Sequence, residues 1–246
     1  MAQHSFPELS SGAGRSLWRG VREHLVSDVC AGCRARPGAL CDLCSQYLRA
    51  RVERITVAGV GESAALTVHA TAPYDGPVRE ALVAFKEHGR WSLREPLGVG
   101  LARAVADLLT AAADPTRVCL VPAPSTSAAR RQRDGDHVRE LARVATSTLR
   151  RLGVDARVVP AVHSIRRRQD QRGLNRTERL VNMSGSMAAR ADVPSLCNTV
   201  VVDDILTSGA TLAEMLRALS AVGVLPLGAC VVAATPDRHG VRAGNR

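Results

Sequence analysis

The chain has 246 residues, of which 46% are hydrophobic and 23% charged, as in soluble globular proteins of one or two domains. Aromatic residues make up only 2% of the chain, so a core must be built from aliphatic side chains, and the formal net charge of +10 favours phosphate-bearing partners such as nucleotides, nucleic acid or an anionic membrane surface. Lys86 is the only lysine and follows Phe85, which excludes the Gly-Lys-Ser/Thr motif of P-loop NTPases, and no G-x-G-x-x-G fingerprint supports a dinucleotide-binding fold.

The N-terminal segment is polar and resembles a tail. Its first 20 residues lack the apolar stretch of a secretory signal, so we expect a cytoplasmic protein. The longest apolar stretch, 97–113, is interrupted by Arg103 and Asp107, so we also expect no membrane insertion.

Four cysteines follow in the pattern Cys30-x2-Cys33-x7-Cys41-x2-Cys44. Four thiolates at this spacing suit tetrahedral Zn²⁺, and we expect a closed, structural zinc site. A redox-active CxxC pair and free surface cysteines remain as alternatives. We predict that the three other cysteines are small buried hydrophobic residues: Cys119, Cys197 and Cys230.

From about residue 64, strand-like and helix-like segments alternate. Apolar runs predict strands at 65–72, 118–121, 157–162, 199–202 and 227–234, and 3.6-residue periodicity predicts helices at 75–87, 93–113, 138–152 and 210–222. The arginine-rich stretch 163–179 reads as a long mobile loop. This alternation predicts an α/β fold with a mostly parallel sheet that is flanked by helices on both faces.

The segment 200–212, VVVDDILTSGATL, carries the clearest functional signal. It places Asp203 and Asp204 at the carboxyl end of a buried strand, before a short hydroxyl- and glycine-containing loop that opens a helix. Such a loop and helix N-terminus bind phosphate, whereas the two carboxylates suit sugar hydroxyls or a hydrated Mg²⁺. The alternative is that Thr207 or Ser208 only caps the helix and that the carboxylates are solvated.

This segment resembles the phosphoribosyl-pyrophosphate (PRPP) motif of type I phosphoribosyltransferases, which is an apolar strand, two acids and a T-[TS]-G-x-T loop. Within that superfamily, the chain is similar to the competence-associated ComF/GntX branch over about residues 28 to 235. Three further stretches carry the resemblance: YDGPVR at 74–79 with FKEHGR at 85–90, the VPAPS turn at 121–125, and Gln171 with Asn175, Arg179 and Asn182. One departure follows Arg133, because Asp134 stands where the family has glycine, and an acid there could repel pyrophosphate.

The resemblance implies a domain division, a site and an activity. We expect a tail at 1–26, a zinc-ribbon-like module at 27–60, a phosphoribosyltransferase-like domain at 61–236 and a tail at 237–246. The implied activity is transfer of phosphoribosyl from PRPP, accompanied by Mg²⁺, to an unidentified base or amine, with Asp203 and Asp204 as catalytic residues. The implied PRPP-binding residues are Asp203, Asp204, Ile205, Leu206, Thr207, Ser208, Gly209, Ala210 and Thr211, with Pro122, Ala123 and Pro124 at the pyrophosphate.

Two arginine clusters leave a second function open. Arg130, Arg131 and Arg133, and the stretch 166–179, could line a polyphosphate pocket, follow a nucleic-acid backbone or form a solvated basic face. The alternative function is a non-catalytic PRPP- or nucleotide-binding adaptor that acts in DNA uptake, recombination or repair with single-stranded DNA or DNA-processing proteins. The scattered histidines are expected at the surface or in helix caps: His69, His88, His137 and His163.

Overall fold

The computed structural model describes residues 29–60, 63–125, 135–165, 182–190 and 197–235. The strands in these residues are β1 (Glu53–Val60), β2 (Ser63–Pro73), β3 (Arg117–Pro122), β4 (Asp155–Val158), β5 (Val162–Ser164), β6 (Met187–Ala189), β7 (Asn198–Leu206) and β8 (Gly228–Ala234). The helices are α1 (Asp42–Ser45), α2 (Gly76–Glu87), α3 (Arg94–Leu109), α4 (His137–Arg151) and α5 (Ala210–Ser220). Two short 3₁₀ helices lie at Gln46–Arg49 and Trp91–Leu93.

A mostly parallel sheet forms the centre of the molecule, as the sequence predicts. Within the described residues it has six strands in the order β1-β2-β8-β7-β3-β4. The antiparallel pair is β1 with β2 at one edge, and the other neighbouring strands run parallel. The domain boundary expected between residues 60 and 61 falls between these two paired strands, so Glu53–Val60 is part of the main sheet.

Helices cover both faces of this sheet. On one face α3 packs against β2, β8 and α4. The approach of α3 to α4 is close at Gly98, where a Cβ atom would lie 2.5 Å from Cβ of Val144. The connection from β7 to β8, through α5, runs across the sheet in the opposite direction to the connection from β3 to β4, through α4. Because both β-α-β crossovers are expected to be right-handed, α5 lies on the other face, where it contacts β1 and β7. Among the described residues, no helix combines the length and apolarity that a membrane span requires.

A small hairpin of β5 and β6 lies beside α5. The buried Glu214 of α5 accepts a hydrogen bond of 2.9 Å from the backbone N–H of Met187, and Arg217 donates to the Met187 carbonyl oxygen at 2.8 Å. Arg217 also pairs with Glu214 at 2.8 Å. Burial raises the pKa of Glu214, but these hydrogen bonds outweigh burial and hold the pKa below its usual value. This arrangement fixes the hairpin to the helix that follows the acid pair.

Several sequence predictions are corrected by the structure. The strand predicted at 157–162 is two strands, β4 and β5, because the chain turns at 159–161, where the N–H of Ala161 donates to the carbonyl of Val159. Cys119 and Cys197 form a disulfide, whereas Cys230 is a buried free cysteine as predicted.

The histidine prediction is wrong at two positions. His69 is buried, and its Nδ1 lies 2.7 Å from Oδ2 of Asp107, which also accepts from Arg54. Burial lowers the pKa of His69 even though Asp107 opposes the shift. His137 is buried at the start of α4, where its ring stacks on Trp91 with 4.7 Å between ring centres. His88 and His163 are exposed, as expected.

Candidate functional site

The sheet changes its direction of winding between β3 and β7. From β3 the chain continues through α4 to β4 at the edge of the sheet, whereas from β7 it continues through α5 to β8 in the opposite direction. Neighbouring strands β3 and β7 therefore form a topological switch point, where the loops at the carboxyl ends diverge and leave a crevice. Both segments that the sequence analysis selected, 122–124 and 203–211, lie at this crevice.

The acid pair lies inside β7 and is buried. The strand continues past its predicted end at residue 202, and Ile205 pairs with Ala233 of β8. Asp203 is 9% exposed and Asp204 4% exposed, so the alternative of two solvated carboxylates does not describe them. Oδ1 of Asp203 accepts a 2.8 Å hydrogen bond from the backbone N–H of Asp204. The two carboxylates are held in place before any ligand arrives.

A cation from a distant part of the chain pairs with Asp204. Nζ of Lys86, in the last turn of α2, lies 2.7 Å from Oδ2 of Asp204. Burial, and after it the charge of Asp204, raise the pKa of Asp203 to about 7, although Lys86 and the Asp204 N–H act in the opposite direction. Asp203 is therefore partly protonated near neutral pH, and a ligand that donates hydrogen bonds to carboxylates favours the ionised form.

Sequence reasoning did not select Lys86 for the site. It used this residue only to exclude a P-loop and to support the family resemblance. A signal was present, because a single lysine in a chain with 33 basic residues suggests a position at which arginine does not substitute. Its partner could not be read from the sequence, since the pairing depends on how α2 lies over the end of β7.

The loop between β7 and α5 is a short glycine-containing turn at the N-terminus of a helix. Thr207, Ser208 and Gly209 connect the strand to the helix, and the first turn of α5 contains Ala210 and Thr211. Gly209 adopts a left-handed conformation with φ of 77°, and a Cβ atom there would lie 2.9 Å from Cγ1 of Val57. Glycine is therefore required for both conformation and space. The first N–H groups of a helix have no intrahelical acceptor and attract anions.

The turn after β3 forms the other side of the crevice. Pro122 is the register partner of Val202, and the N–H of Ala123 donates to the Val202 carbonyl at 2.9 Å. Ser125 Oγ donates to Oδ1 of Asp136 at 3.1 Å, and Asp136 caps α4. The predicted turn Pro122–Pro124 is thus connected directly to the strand that carries the acid pair and to the N-terminus of α4.

The four N-terminal cysteines form a separate cluster. Their Sγ atoms all lie within 4.8 Å of one another, and the Sγ atoms of Cys33 and Cys41 are 3.8 Å apart. Zn–S bonds of about 2.3 Å in a tetrahedron require sulfur–sulfur edges of about 3.8 Å. The cluster can therefore hold a metal ion such as zinc, with Cys30 and Cys44 buried.

The backbone around the cysteines also fits a metal site. Burial disfavours the Cys30 thiolate, but backbone N–H groups of Cys41, Cys33 and Gly32 donate to it and lower its pKa to about 6. A Cβ atom at Gly32 would lie 2.9 Å from Sγ of Cys44 and 2.8 Å from Cβ of Pro77, so only glycine fits between the cluster and α2. An ionised thiolate and a tight backbone turn are features of structural zinc sites.

The cysteine segment is attached to the helices of the main domain. Arg90 donates to the carbonyl oxygens of Val29 and Gly38, and Arg103 donates to that of Ala50 at 2.9 Å. Arg34 pairs with Glu80 of α2 at 3.0 Å. The resulting contacts fix the cluster against the helix that carries Lys86.

Several residues selected from the sequence lie outside the described ranges. These include both arginine clusters, at 130–133 and 166–179, and Asp134, Gln171, Asn175 and Arg179. The two expected tails, 1–26 and 237–246, also lie outside them.

Comparison with known families supports the class of protein that the crevice indicates. Residues 142–243 match the family model of the phosphoribosyl transferase domain. The matched range contains the acid pair, its loop and α5, and it begins within α4. The match covers less than half of the chain, and it supports a resemblance of this part to the type I phosphoribosyltransferase-like superfamily. A search of curated proteins gives no match.

Proposed function

We propose that the protein binds PRPP in the crevice between β3 and β7 and transfers its phosphoribosyl group to a nitrogen nucleophile, a base or an amine, with release of pyrophosphate. One observation carries this proposal: the buried pair Asp203 and Asp204 directly precedes the glycine turn of α5 at the switch point of the sheet. A sugar phosphate has the complementary chemistry, since its hydroxyls are donors and its phosphate is an acceptor.

The residues of β7 and of its loop bind different parts of PRPP. Asp203 and Asp204 accept hydrogen bonds from the two ribose hydroxyls and thereby fix the ring. The N–H groups and hydroxyls of the loop, from Thr207 to Thr211, bind the 5-phosphate at the N-terminus of α5. The turn Pro122–Pro124 lies beside the acid pair and faces the pyrophosphate.

The chemistry is a substitution at C1 of the ribose. The nucleophile forms a bond to C1 while the bond from C1 to the pyrophosphate oxygen breaks. The electron pair of that bond leaves with pyrophosphate, and the nitrogen releases its proton to solvent. Positive charge develops on the ring, so the acid pair below it stabilises the transition state, and rigid positioning lowers the barrier further. Mg²⁺, when bound with PRPP, neutralises part of the pyrophosphate charge.

We further propose that the chain is a ComF/GntX-type protein whose cysteine cluster holds a structural Zn²⁺. The cysteine spacing, the sulfur–sulfur geometry and the FKEHGR segment support this assignment. Because four thiolates fill the coordination sphere, this zinc has no open position for a substrate, and its role is to stabilise the segment that packs on α2.

The non-catalytic adaptor remains a second proposal, favoured by the net charge of +10 and by the arginine clusters. Such a protein would bind single-stranded DNA with an affinity that falls steeply as salt rises. Replacing Arg166, Arg167 and Arg168 by glutamine would reduce both the affinity and the slope of this salt dependence.

The direct test of transfer is release of pyrophosphate from PRPP and Mg²⁺ across a panel of bases and amines. We expect one acceptor class to give release that Asp204→Asn abolishes, whereas Asp155→Asn, an exposed carboxylate of β4, serves as the control and has no effect. A protein that binds PRPP but releases no pyrophosphate with any acceptor would support the adaptor.

A further inference from the structure

The position of Lys86 suggests a function beyond charge balance in the free protein. Its side chain is 30% exposed, whereas that of Asp204 is 6% exposed, so the lysine side chain lies between the buried carboxylate and solvent. A flexible side chain that contacts a ligand-binding carboxylate from this side stands where the ligand must enter.

An aromatic cluster fixes the helix that carries Lys86. The ring of the preceding residue, Phe85, packs edge-on against His137 at 4.8 Å and against Trp91 at 5.5 Å. His137 follows Asp136, which caps α4 and accepts from Ser125 in the turn after β3. The backbone of Lys86 is therefore anchored between the acid pair and the turn that faces the pyrophosphate.

Binding of PRPP changes the partners of this lysine. The ribose hydroxyls need the carboxylate oxygens of the acid pair, including the Asp204 oxygen that now contacts Lys86. A lysine ammonium has three donors on a four-carbon stem, so it can move away without a change in the backbone. The nearest new anion on the open side is the pyrophosphate, and this step rests on the proposed function.

We propose that Lys86 is a catalytic residue that exchanges Asp204 in the free protein for the pyrophosphate of bound PRPP. As the C1–O bond breaks, its electron pair passes to the pyrophosphate oxygen, and the ammonium donates hydrogen bonds to that group. Lys86 remains protonated throughout and transfers no proton, since the proton that the nitrogen nucleophile loses passes to solvent. The lysine thus neutralises charge that increases on the leaving group.

Calorimetric titrations with PRPP and with ribose 5-phosphate, both with Mg²⁺, separate this role from a structural one. Ribose 5-phosphate contacts the acid pair and loop but carries no pyrophosphate. We expect Lys86→Met to weaken PRPP binding about tenfold or more, the effect of losing a charged hydrogen bond, and to change ribose 5-phosphate binding by less than about threefold. Lys86→Arg keeps the charge but replaces the compact ammonium by a planar guanidinium, so it should restore part of the lost PRPP affinity and not all of it.

Arg151→Met is the matched control, because it removes one positive charge at the far end of α4. We expect it to change neither titration. Thermal unfolding of each variant checks that the fold persists, and Lys86→Gln replaces Lys86→Met if the latter does not fold.

Two failures are distinguishable. If the unmodified protein binds neither ligand, the proposed function is wrong. If it binds both, and Lys86→Met weakens both by the same factor, Lys86 only orders Asp204 and the proposed exchange is wrong.

Discussion

The glycine turn before α5 allows a quantitative test of the loop geometry. Gly209 and Gly223 share the same left-handed φ of 77°, but their surroundings differ. A Cβ atom at Gly209 would lie 2.9 Å from Cγ1 of the buried Val57, whereas one at Gly223 would have no neighbour within 4 Å among the atoms described. Alanine at the two positions therefore shares the backbone strain and differs in the steric contact.

The expected magnitudes follow from these two terms. A left-handed conformation costs a non-glycine residue about 1–2 kcal/mol, and a forced contact in a packed region costs about 1–3 kcal/mol more. We expect Gly223→Ala to lower the free energy of unfolding by about 1–2 kcal/mol and Gly209→Ala by about 2–5 kcal/mol. Adding Val57→Ala to Gly209→Ala should recover about 1 kcal/mol relative to the sum of the single changes.

Urea unfolding measures these differences, and calorimetry with ribose 5-phosphate measures the effect on the site. Gly209→Ala should weaken binding about tenfold or more, because the turn must shift to relieve the contact, whereas Gly223→Ala should leave binding unchanged. Equal destabilisation by the two alanines would refute the close approach to Val57. Unchanged binding by Gly209→Ala would refute the assignment of this turn to the phosphate.

Three further predictions concern the charges and the cysteines. The pKa of Asp203 in the folded protein is raised to about 7, so the folded state binds more protons than the unfolded state between about pH 4 and 7. The contribution of this group to stability therefore falls as pH rises through that window. In urea unfolding, Asp203→Asn should stabilise the free protein more at pH 8 than at pH 5, and an equal effect at both values would count against the raised pKa. The purified protein should contain one Zn²⁺ per chain by elemental analysis. Removal of the zinc by a chelator should lower the free energy of unfolding by about 2 kcal/mol or more, because Ala31 and Leu48 beside the cluster belong to the core. Full stability without metal would argue against a structural zinc. After the metal is removed and the protein is unfolded, alkylation should modify five of the seven cysteines without reductant and all seven with it, because Cys119 and Cys197 form a disulfide. Modification of all seven without reductant would contradict that bond.

The sequence predicts the main features of the fold because local patterns determine them. Apolar runs and helical periodicity indicate the parallel strands and the helices that cover them, and the pattern of two acids, small residues and a helix start indicates the segment 203–211. β1 was not predicted, because Arg54, Gly59 and a short alternating pattern give a weak strand signal and its pairing with β2 depends on tertiary structure.

Other features depend on contacts between distant segments. Acidic residues are disfavoured in strands, so the sequence suggests that β7 ends before Asp203; in the folded protein, Lys86 and a backbone N–H offset the burial of the pair. The burial of His69 likewise depends on Asp107, which α3 brings beneath the sheet. The order of strands determines such contacts, and a single sequence does not encode that order in a local pattern.

Binding of PRPP is the central claim, and one calorimetric experiment tests it most directly. The zinc-quantified protein is titrated with PRPP and Mg²⁺ beside the double variant Asp203→Asn/Asp204→Asn, whose fold is checked by thermal unfolding. We expect saturable binding with one site per chain in the unmodified protein and none in the folded double variant. Absence of binding in the folded, zinc-loaded protein, or equal binding in the double variant, would contradict the site assigned to the crevice between β3 and β7.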